Sequence, residues 1–185
     1  IIVDVPCSCE GTFRKSQRKV VQPSGANSRR MAQLQLRILQ RAFHLCAPGG
    51  VMVYSTCTFS PEENEGVVDA LLRSHPGQVS VEPIEVPHLV SSSGLSGWRD
   101  QVYDPALQGA MRIWPHQNNT GGFFLCVLRK EPSDSSARVL SAPSSLSTPS
   151  NSVRSHLAAL QERFDFDPLP QADYAFACHS QRGMY

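Results

Sequence analysis

The chain has 185 residues, of which 41% are hydrophobic and 18% charged, and its formal net charge is +1. This length supports one domain with a sizeable core. The absence of a long apolar run and of a basic, then apolar, leader predicts a soluble protein that is neither secreted nor bound to a membrane. Six cysteines in such a chain favour reduced thiols and exclude a small disulfide-stabilised scaffold.

The first predicted element is a buried strand. The apolar residues 1–3 predict it, and the sequence then continues as Asp-Val-Pro-Cys-Ser from Asp4 to Ser8. Cys7 therefore follows the carboxyl end of a strand. Because the first residue already falls inside this strand, we expect the chain to lack the front half of its domain.

A polar, basic loop and a helix follow. The first 50 residues contain eight Lys or Arg against two acidic residues, and residues 11–26 form the predicted loop. Four of the basic residues lie in it: Arg14, Lys15, Arg18 and Lys19. Such a loop is often simply solvated, but beside a cleft it favours contact with nucleic-acid phosphates. Apolar residues at helical spacing then predict a helix from about residue 29 to 46.

A second strand also ends in a cysteine. The run at residues 51–53 predicts a buried strand that ends near Cys57. A capping box is indicated by Ser60 and Glu63, with Pro61 at the favoured first helical position, and it predicts a helix that begins at Pro61. We interpret the acidic residues of Glu62–Glu65 mainly as negative charges that stabilise the amino terminus of this helix. The strand, helix, strand order predicts a parallel, right-handed crossover, with Cys7 and Cys57 at the edge where open α/β sheets bind ligands. The amino terminus of the helix predicted at Pro61 would favour the thiolate form of Cys57.

The remaining elements are shorter. Residues 79–86 predict an edge strand, where Pro83 is tolerated. Residues 87–110 predict a loop, and residues 111–116 predict a short strand that enters a turn. Residues 118–122 predict a turn before a core strand at 123–128. Residues 133–152 contain nine serines and two prolines, which predicts disorder. We therefore expect a domain over residues 1–131, a linker over 132–152 and a segment of unknown role over 153–185.

Five short motifs occur together in one order. They are DVPCS at residues 4–8, STCT at 55–58, PEENE at 61–65, PH at 115–116 and GGFF at 121–124. This set resembles the Sun/Nop family of RNA cytosine-5 methyltransferases over about residues 1–130, and within it the eukaryotic multisite tRNA branch. The resemblance implies an α/β fold: the C-terminal half of a Rossmann-like sheet that uses S-adenosylmethionine. A piece of this kind is expected neither to bind that cofactor tightly nor to turn over alone.

The resemblance also implies roles for individual residues. Carbon 5 of cytosine is a poor nucleophile, so a thiolate must first add to carbon 6. Cys57 is the implied nucleophile, and Cys7 assists release of the adduct. Asp4 and the turn at Pro6 are expected to contact the base and the cofactor. RNA is expected to contact five residues: Arg14, Lys15, Arg18, Lys19 and His116.

Several alternatives remain open on the sequence. Either cysteine could simply be a core residue, because free cysteine is commonly buried. The chain could also be a non-catalytic RNA-binding or assembly factor. A third alternative is a DNA cytosine-5 methyltransferase, since those enzymes take their nucleophile from a motif like Pro6-Cys7. A zinc site at Cys7 and Cys9 lacks a second ligand pair at similar spacing, so we expect no metal. Cys9 stands where the family commonly has glycine, which puts the loop geometry in question. We expect an intracellular monomer that binds RNA, specifically tRNA, in the nucleus or nucleolus in preference to the cytoplasm.

Overall fold

The computed structural model describes residues 1–15 and 25–132, and the backbone of residues 178–180 and 183–184. The side chain of Lys15, together with Arg18 and Lys19, lies outside the described residues. So do most of the predicted linker and the C-terminal segment, and their predicted disorder and domain boundaries stay predictions. Two short strands near the C-terminus, β9 (Cys178–Ser180) and β10 (Gly183–Met184), pair antiparallel with each other.

The first 132 residues form a mixed α/β structure. Its strands are β1 (Ile2–Asp4), β2 (Val51–Thr56), β3 (Val79–Glu82), β4 (Ser92–Ser93), β5 (Gly97–Trp98), β6 (Gln101–Val102), β7 (Met111–Ile113) and β8 (Phe123–Lys130). Its helices are α1 (Gly25–Leu45), α2 (Glu65–Ser74) and α3 (Pro115–Asn118), with 3-10 turns at Glu10–Lys15 and Pro105–Gly109. The predicted fold class is confirmed for this region.

The main sheet has the order β1-β2-β8-β7-β4, and β3 lies beside the second half of β8. Strand β1 is parallel to β2, with Val3 opposite Tyr54 and Asp4 opposite Ser55, as the crossover through α1 predicted. The other pairs are antiparallel, and Thr56 of β2 lies opposite Phe124 of β8. Because β1 and β2 point the same way and are in register, the residues that follow them meet at one edge of the sheet.

The core lies between α1, α2 and the sheet. Helix α1 buries the second half of its predicted apolar face, at Leu39, Ala42 and Phe43, whereas Leu34 is exposed, and α2 contributes a second apolar face. Fully or nearly fully buried side chains from the two helices and the sheet are Leu39, Phe43, Met52, Tyr54, Val68, Leu71, Phe124 and Leu128. Gln35 of α1 is also completely buried although it is polar, which requires partners inside the protein. Those partners belong to the candidate site.

Several boundaries differ from the sequence predictions. Helix α1 begins at Gly25 and not at about residue 29, and β3 ends at Glu82 and not at residue 86. Helix α2 begins at Glu65 and not at Pro61, because residues 61–64 form turns whose side chains have tertiary partners. The predicted loop at 87–110 contains the short strands β4, β5 and β6 and the second 3-10 turn. Within the part of the chain that the structure describes, no helix combines the length and hydropathy that a bilayer crossing requires.

Candidate active site

Two half-buried thiols meet at the carboxyl ends of β1 and β2. The Sγ atoms of Cys7 and Cys57 are 3.3 Å apart, although the residues are 50 positions apart in the chain. Backbone hydrogen bonds hold the two segments together, from the Val5 amide to the Ser55 carbonyl (3.2 Å) and from the Gly11 amide to the Cys57 carbonyl (2.8 Å). The parallel register of β1 and β2 therefore brings together the two cysteines singled out in the sequence.

A third thiol lies beside them. Cys9 has a left-handed backbone with φ of 60°, and its exposed side chain places Sγ 4.0 Å from Cys7 Sγ. The Cys9 thiol donates a hydrogen bond to the Cys7 carbonyl at 3.2 Å. A left-handed conformation suits the glycine that commonly occupies this position in the family. The loop thus keeps a glycine-like backbone while carrying an added thiol.

The thiols of Cys7 and Cys57 differ in how their surroundings affect their pKa values. Burial raises the pKa of Cys7 far above its usual value of 9.0, and its hydrogen bond to Cys57 raises it further. Burial also raises the pKa of Cys57, whereas the hydrogen bond from Cys7 lowers it. The contact between the two thiols thus favours ionisation of Cys57 over ionisation of Cys7, while burial disfavours both thiolates. The sequence predicted that the amino terminus of the next helix would stabilise the Cys57 thiolate. In the free protein α2 begins only at Glu65, and burial has the larger effect, so the pKa of Cys57 is raised and not lowered.

The carboxylate of Glu63 positions the Cys7 loop. This side chain is completely buried, and its Oε2 accepts hydrogen bonds from the Ser8 amide (3.0 Å) and from Gln35 Nε2 (2.9 Å). Gln35 Nε2 also donates to the Pro6 carbonyl at 2.9 Å. The loop is therefore held on both sides of Cys7 by polar groups on α1 and on the turn before α2. The predicted capping role of Glu63 is wrong, since its carboxylate reaches this loop.

Asn64 positions the strand end that carries Cys57. Its Oδ1 accepts from the Thr56 hydroxyl (2.6 Å), and its Nδ2 donates to the Thr58 carbonyl (3.0 Å). These two contacts flank Cys57 in the sequence. Asn64 is completely buried, so both hydrogen bonds lie away from water, where losing a partner is costly. The backbone on either side of the thiol is consequently held in one geometry.

Glu65 forms a buried ion pair with Arg112 of β7. Arg112 Nε lies 2.7 Å from Glu65 Oε1 and Nη2 lies 2.5 Å from Oε2, with both side chains at most 4% exposed. Arg112 Nη1 also donates to the Phe59 carbonyl at 3.0 Å. The consecutive residues 63–65 thus contact three different segments around the thiols. The interpretation of this acidic run as helix-start electrostatics is corrected accordingly.

Two glycines allow the loops of the site to approach each other. Gly122 donates its amide hydrogen to the Gly11 carbonyl at 2.8 Å. A Cβ on Gly11 would lie 2.5 Å from the Gly122 carbonyl oxygen and 2.8 Å from that of Cys57. A Cβ on Gly122 would lie 2.1 Å from the Phe59 ring. The GGFF motif therefore packs its backbone directly against the loop that follows Cys7.

Aromatic rings and one predicted RNA-contacting arginine border the site. Phe59 stacks on Trp114 with centroids 5.0 Å apart, and Trp114 stacks on the exposed ring of His116 at 6.5 Å. Arg14 Nη2 donates to Asn119 Oδ1 at 2.7 Å, which connects the start of the basic loop to the turn after α3. The RNA-contacting roles of Arg14 and His116 stay predictions.

The comparison with known families decides the family. The profile described as 16S rRNA methyltransferase RsmB/F matches residues 1–129. The chain belongs to the RsmB/F methyltransferase family. The resemblance to RNA cytosine-5 methyltransferases noted in the sequence is thereby confirmed, as is its position within the first 130 residues.

Curated relatives and a solved structure agree with this family. The chain is 35% identical to the multisite-specific tRNA:(cytosine-C(5))-methyltransferase trm4b of Schizosaccharomyces pombe, over 70% of this chain and 24% of that protein. It is 34% identical to the multisite-specific tRNA:(cytosine-C(5))-methyltransferase of Saccharomyces cerevisiae, over 70% and 23%. NSun6 from Pyrococcus horikoshii, solved with SFG, matches with a TM-score of 0.55 and 29% identity, over 72% and 30%. The chain thus spans about a quarter of its curated relatives' length.

Within this RsmB/F chain the two remaining predicted site residues precede Cys7 in the same segment. Asp4 ends β1 with an exposed side chain, and its Oδ1 accepts a hydrogen bond from the Ser55 hydroxyl at 3.0 Å. Pro6 is exposed, and its carbonyl is bound by Gln35. Sequence reasoning did not single out Gln35, which is polar on the apolar side of a predicted helix. That mismatch is the signal that could have found it.

Proposed function

We propose that the protein transfers a methyl group from S-adenosylmethionine to carbon 5 of cytosine in RNA, with tRNA as the favoured substrate. One observation carries the proposal: the 3.3 Å contact between the thiols of Cys7 and Cys57 at the carboxyl ends of two parallel strands. Membership of the RsmB/F family and the names of the two tRNA-modifying relatives support the substrate class.

In the proposed reaction Cys57 is the nucleophile. Its thiolate adds to carbon 6 of the cytosine, which places electron density on carbon 5 for methylation. Loss of the carbon 5 proton then re-forms the double bond and expels the Cys57 sulfur. The contact between the two thiols supports this assignment, because it favours ionisation of Cys57 over ionisation of Cys7. Cys7 lies close enough to return a proton to the departing sulfur.

Asp4 is the proposed contact for the base and for the cofactor. Its carboxylate is exposed at the end of β1 and accepts a hydrogen bond from the Ser55 hydroxyl. Such a carboxylate can accept from the amino group of cytosine or from the amino and hydroxyl groups of S-adenosylmethionine. S-adenosylmethionine would supply an electrophilic methyl group, and its use is supported by the presence of SFG, an analogue of it, in the NSun6 structure.

RNA is proposed to enter along the basic loop and the aromatic side of the site. Arg14 connects the start of this loop to Asn119, three residues after His116, whose ring stacks on Trp114. Cytosine must be unstacked before its carbon 6 can reach Cys57, and aromatic side chains commonly stack on unpaired bases. The geometry therefore favours an unpaired cytosine or one flipped from a helix.

The proposal is tested by trapping. The full-length protein is incubated with S-adenosylmethionine and RNA carrying 5-fluorocytosine, which blocks release because carbon 5 has no removable proton. A covalent complex is expected in the wild type and none in Cys57→Ala. Cys7→Ala is expected to form the complex but to lose multiple turnover on ordinary RNA. Cys46→Ala, which changes a buried thiol on the far side of the core, is the matched control.

Two outcomes would contradict the assignment. A complex that persists in Cys57→Ala and disappears in Cys7→Ala reverses the roles and favours chemistry of the DNA cytosine-5 methyltransferase kind. Failure of the wild-type protein to form a complex or to methylate any RNA favours a non-catalytic RNA-binding factor.

A further inference from the structure

The three thiols of the site lie at the spacing of metal ligands. The Sγ atoms of Cys7 and Cys57 are 3.3 Å apart, those of Cys7 and Cys9 are 4.0 Å apart, and all three lie within 4.8 Å of one another. Four sulfur ligands at about 2.3 Å from a tetrahedral zinc ion are separated by about 3.8 Å. Small side-chain rotations would therefore bring all three sulfurs to one ion.

Folding supplies a zinc ligand that is distant in the chain. The sequence has no second pair of ligands close together beyond Cys7 and Cys9, but the fold brings a third sulfur from 50 residues away. Cys57 reaches Cys7 and Cys9 because β1 and β2 are parallel and in register. A ligand set of this kind is visible only when the sheet is known.

Cys9 carries the distinguishing observation. It holds a left-handed backbone conformation that glycine adopts without strain and that cysteine adopts at a conformational cost. Its side chain is exposed, so an ion can approach the three sulfurs from solvent. Its thiol contacts the neighbouring cysteine and not the hydrophobic core. Packing therefore does not explain a side chain at this position.

We propose that Cys7, Cys9 and Cys57 bind a thiophilic divalent cation, Zn²⁺, and that the bound ion inhibits the enzyme by occupying the nucleophile. Each thiol would release its proton to solvent and donate a sulfur lone pair to the ion, and the fourth position would stay open to water. Thiolate ligands select zinc over magnesium and calcium. The inhibition rests on the proposed function, whereas the binding site does not.

Binding is tested first, without any activity. The full-length protein is titrated with Co²⁺ in a phosphine reductant, and sulfur-to-cobalt charge transfer is followed in the near ultraviolet. Zn²⁺ should displace the cobalt at one equivalent. Cys9→Gly is the matched variant, since it restores the residue that fits the backbone, and it should weaken Zn²⁺ binding at least about 10-fold. Cys46→Ala should bind as the wild type does.

Inhibition is tested second. Zn²⁺ should abolish covalent trapping of 5-fluorocytosine RNA by the wild type, and a chelator should restore it. Cys9→Gly should trap normally without metal and should require at least about 10-fold more Zn²⁺ for the same inhibition.

Three results would overturn the proposal. They are the absence of a sulfur-to-cobalt band, equal Zn²⁺ affinity in Cys9→Gly and the wild type, and an inhibition that a reductant but not a chelator reverses, which would indicate thiol oxidation. If no complex forms even with a chelator present, the methyltransferase proposal fails while the cobalt titration still decides the metal site.

Discussion

Replacing Arg112 with methionine should destabilise the protein severely, because it leaves a buried carboxylate without its cation. Glu65 is completely buried and accepts two hydrogen bonds from the Arg112 guanidinium and one from the Leu95 amide at 2.9 Å. Arg112 also donates to the Phe59 carbonyl, two residues beyond Cys57. Methionine fills a similar volume, so the change removes the charge and the donors more than the packing.

The magnitude follows from the burial of both partners. Breaking a buried ion pair by removing one partner costs about 3–5 kcal/mol, since the remaining charge is uncompensated. A domain typically has about 5–15 kcal/mol of stability in total. For a domain of this size about 1 kcal/mol corresponds to a melting temperature change of roughly 2–4 °C. Arg112→Met should therefore lower the melting temperature of this domain by about 6–20 °C.

Urea unfolding followed by circular dichroism measures the effect, and a double-mutant cycle assigns it. Arg112→Met with Glu65→Gln should recover at least about half of the loss, because the second change removes the orphaned charge. Arg99→Met, at an exposed arginine 3.9 Å from Glu62, should cost less than about 1 kcal/mol. The reasoning is refuted if Arg112→Met costs less than about 1 kcal/mol or if the two single costs simply add.

Four further predictions concern the site. Gly11→Ala places a Cβ 2.5 Å from the Gly122 carbonyl oxygen, and the resulting displacement should slow covalent trapping about 100-fold; an unchanged rate would contradict it. Because burial raises the pKa of Cys57 above 9.0, its alkylation by iodoacetamide in the free protein should rise about tenfold per pH unit from roughly pH 7 to 9, and a plateau below about pH 8 would refute this. The folded protein holds that proton more tightly than the unfolded chain does, so the stability this group contributes should fall as the pH rises above 9.0. Glu63→Gln weakens the acceptor of the Ser8 amide and should lower the free energy of unfolding by about 1–3 kcal/mol in urea, whereas a neutral effect would show that the carboxylate is dispensable.

Local sequence patterns predicted the scaffold because they report on neighbouring residues. The apolar runs at residues 1–3 and 51–53 predicted β1 and β2, and the cysteines that follow them were correctly placed after strand ends. The helical spacing of apolar residues in α1 was equally informative. The capping pattern at Ser60 and Glu63 failed, because the Ser60 hydroxyl donates to Glu62 and the Glu63 carboxylate accepts from a distant loop.

The sequence by itself determined the order β1-α1-β2-α2-β3, the family and the positions of two cysteines at strand ends. The tertiary structure alone decided that Cys9 joins those two thiols and that residues 63–65 are buried polar supports of the site. The physical reason is that periodicity reveals which side of an element faces the core, while contacts between residues 50 positions apart depend on strand direction and register. Burial of Glu63 is favourable only because folding supplies the Ser8 and Gln35 donors that its carboxylate requires.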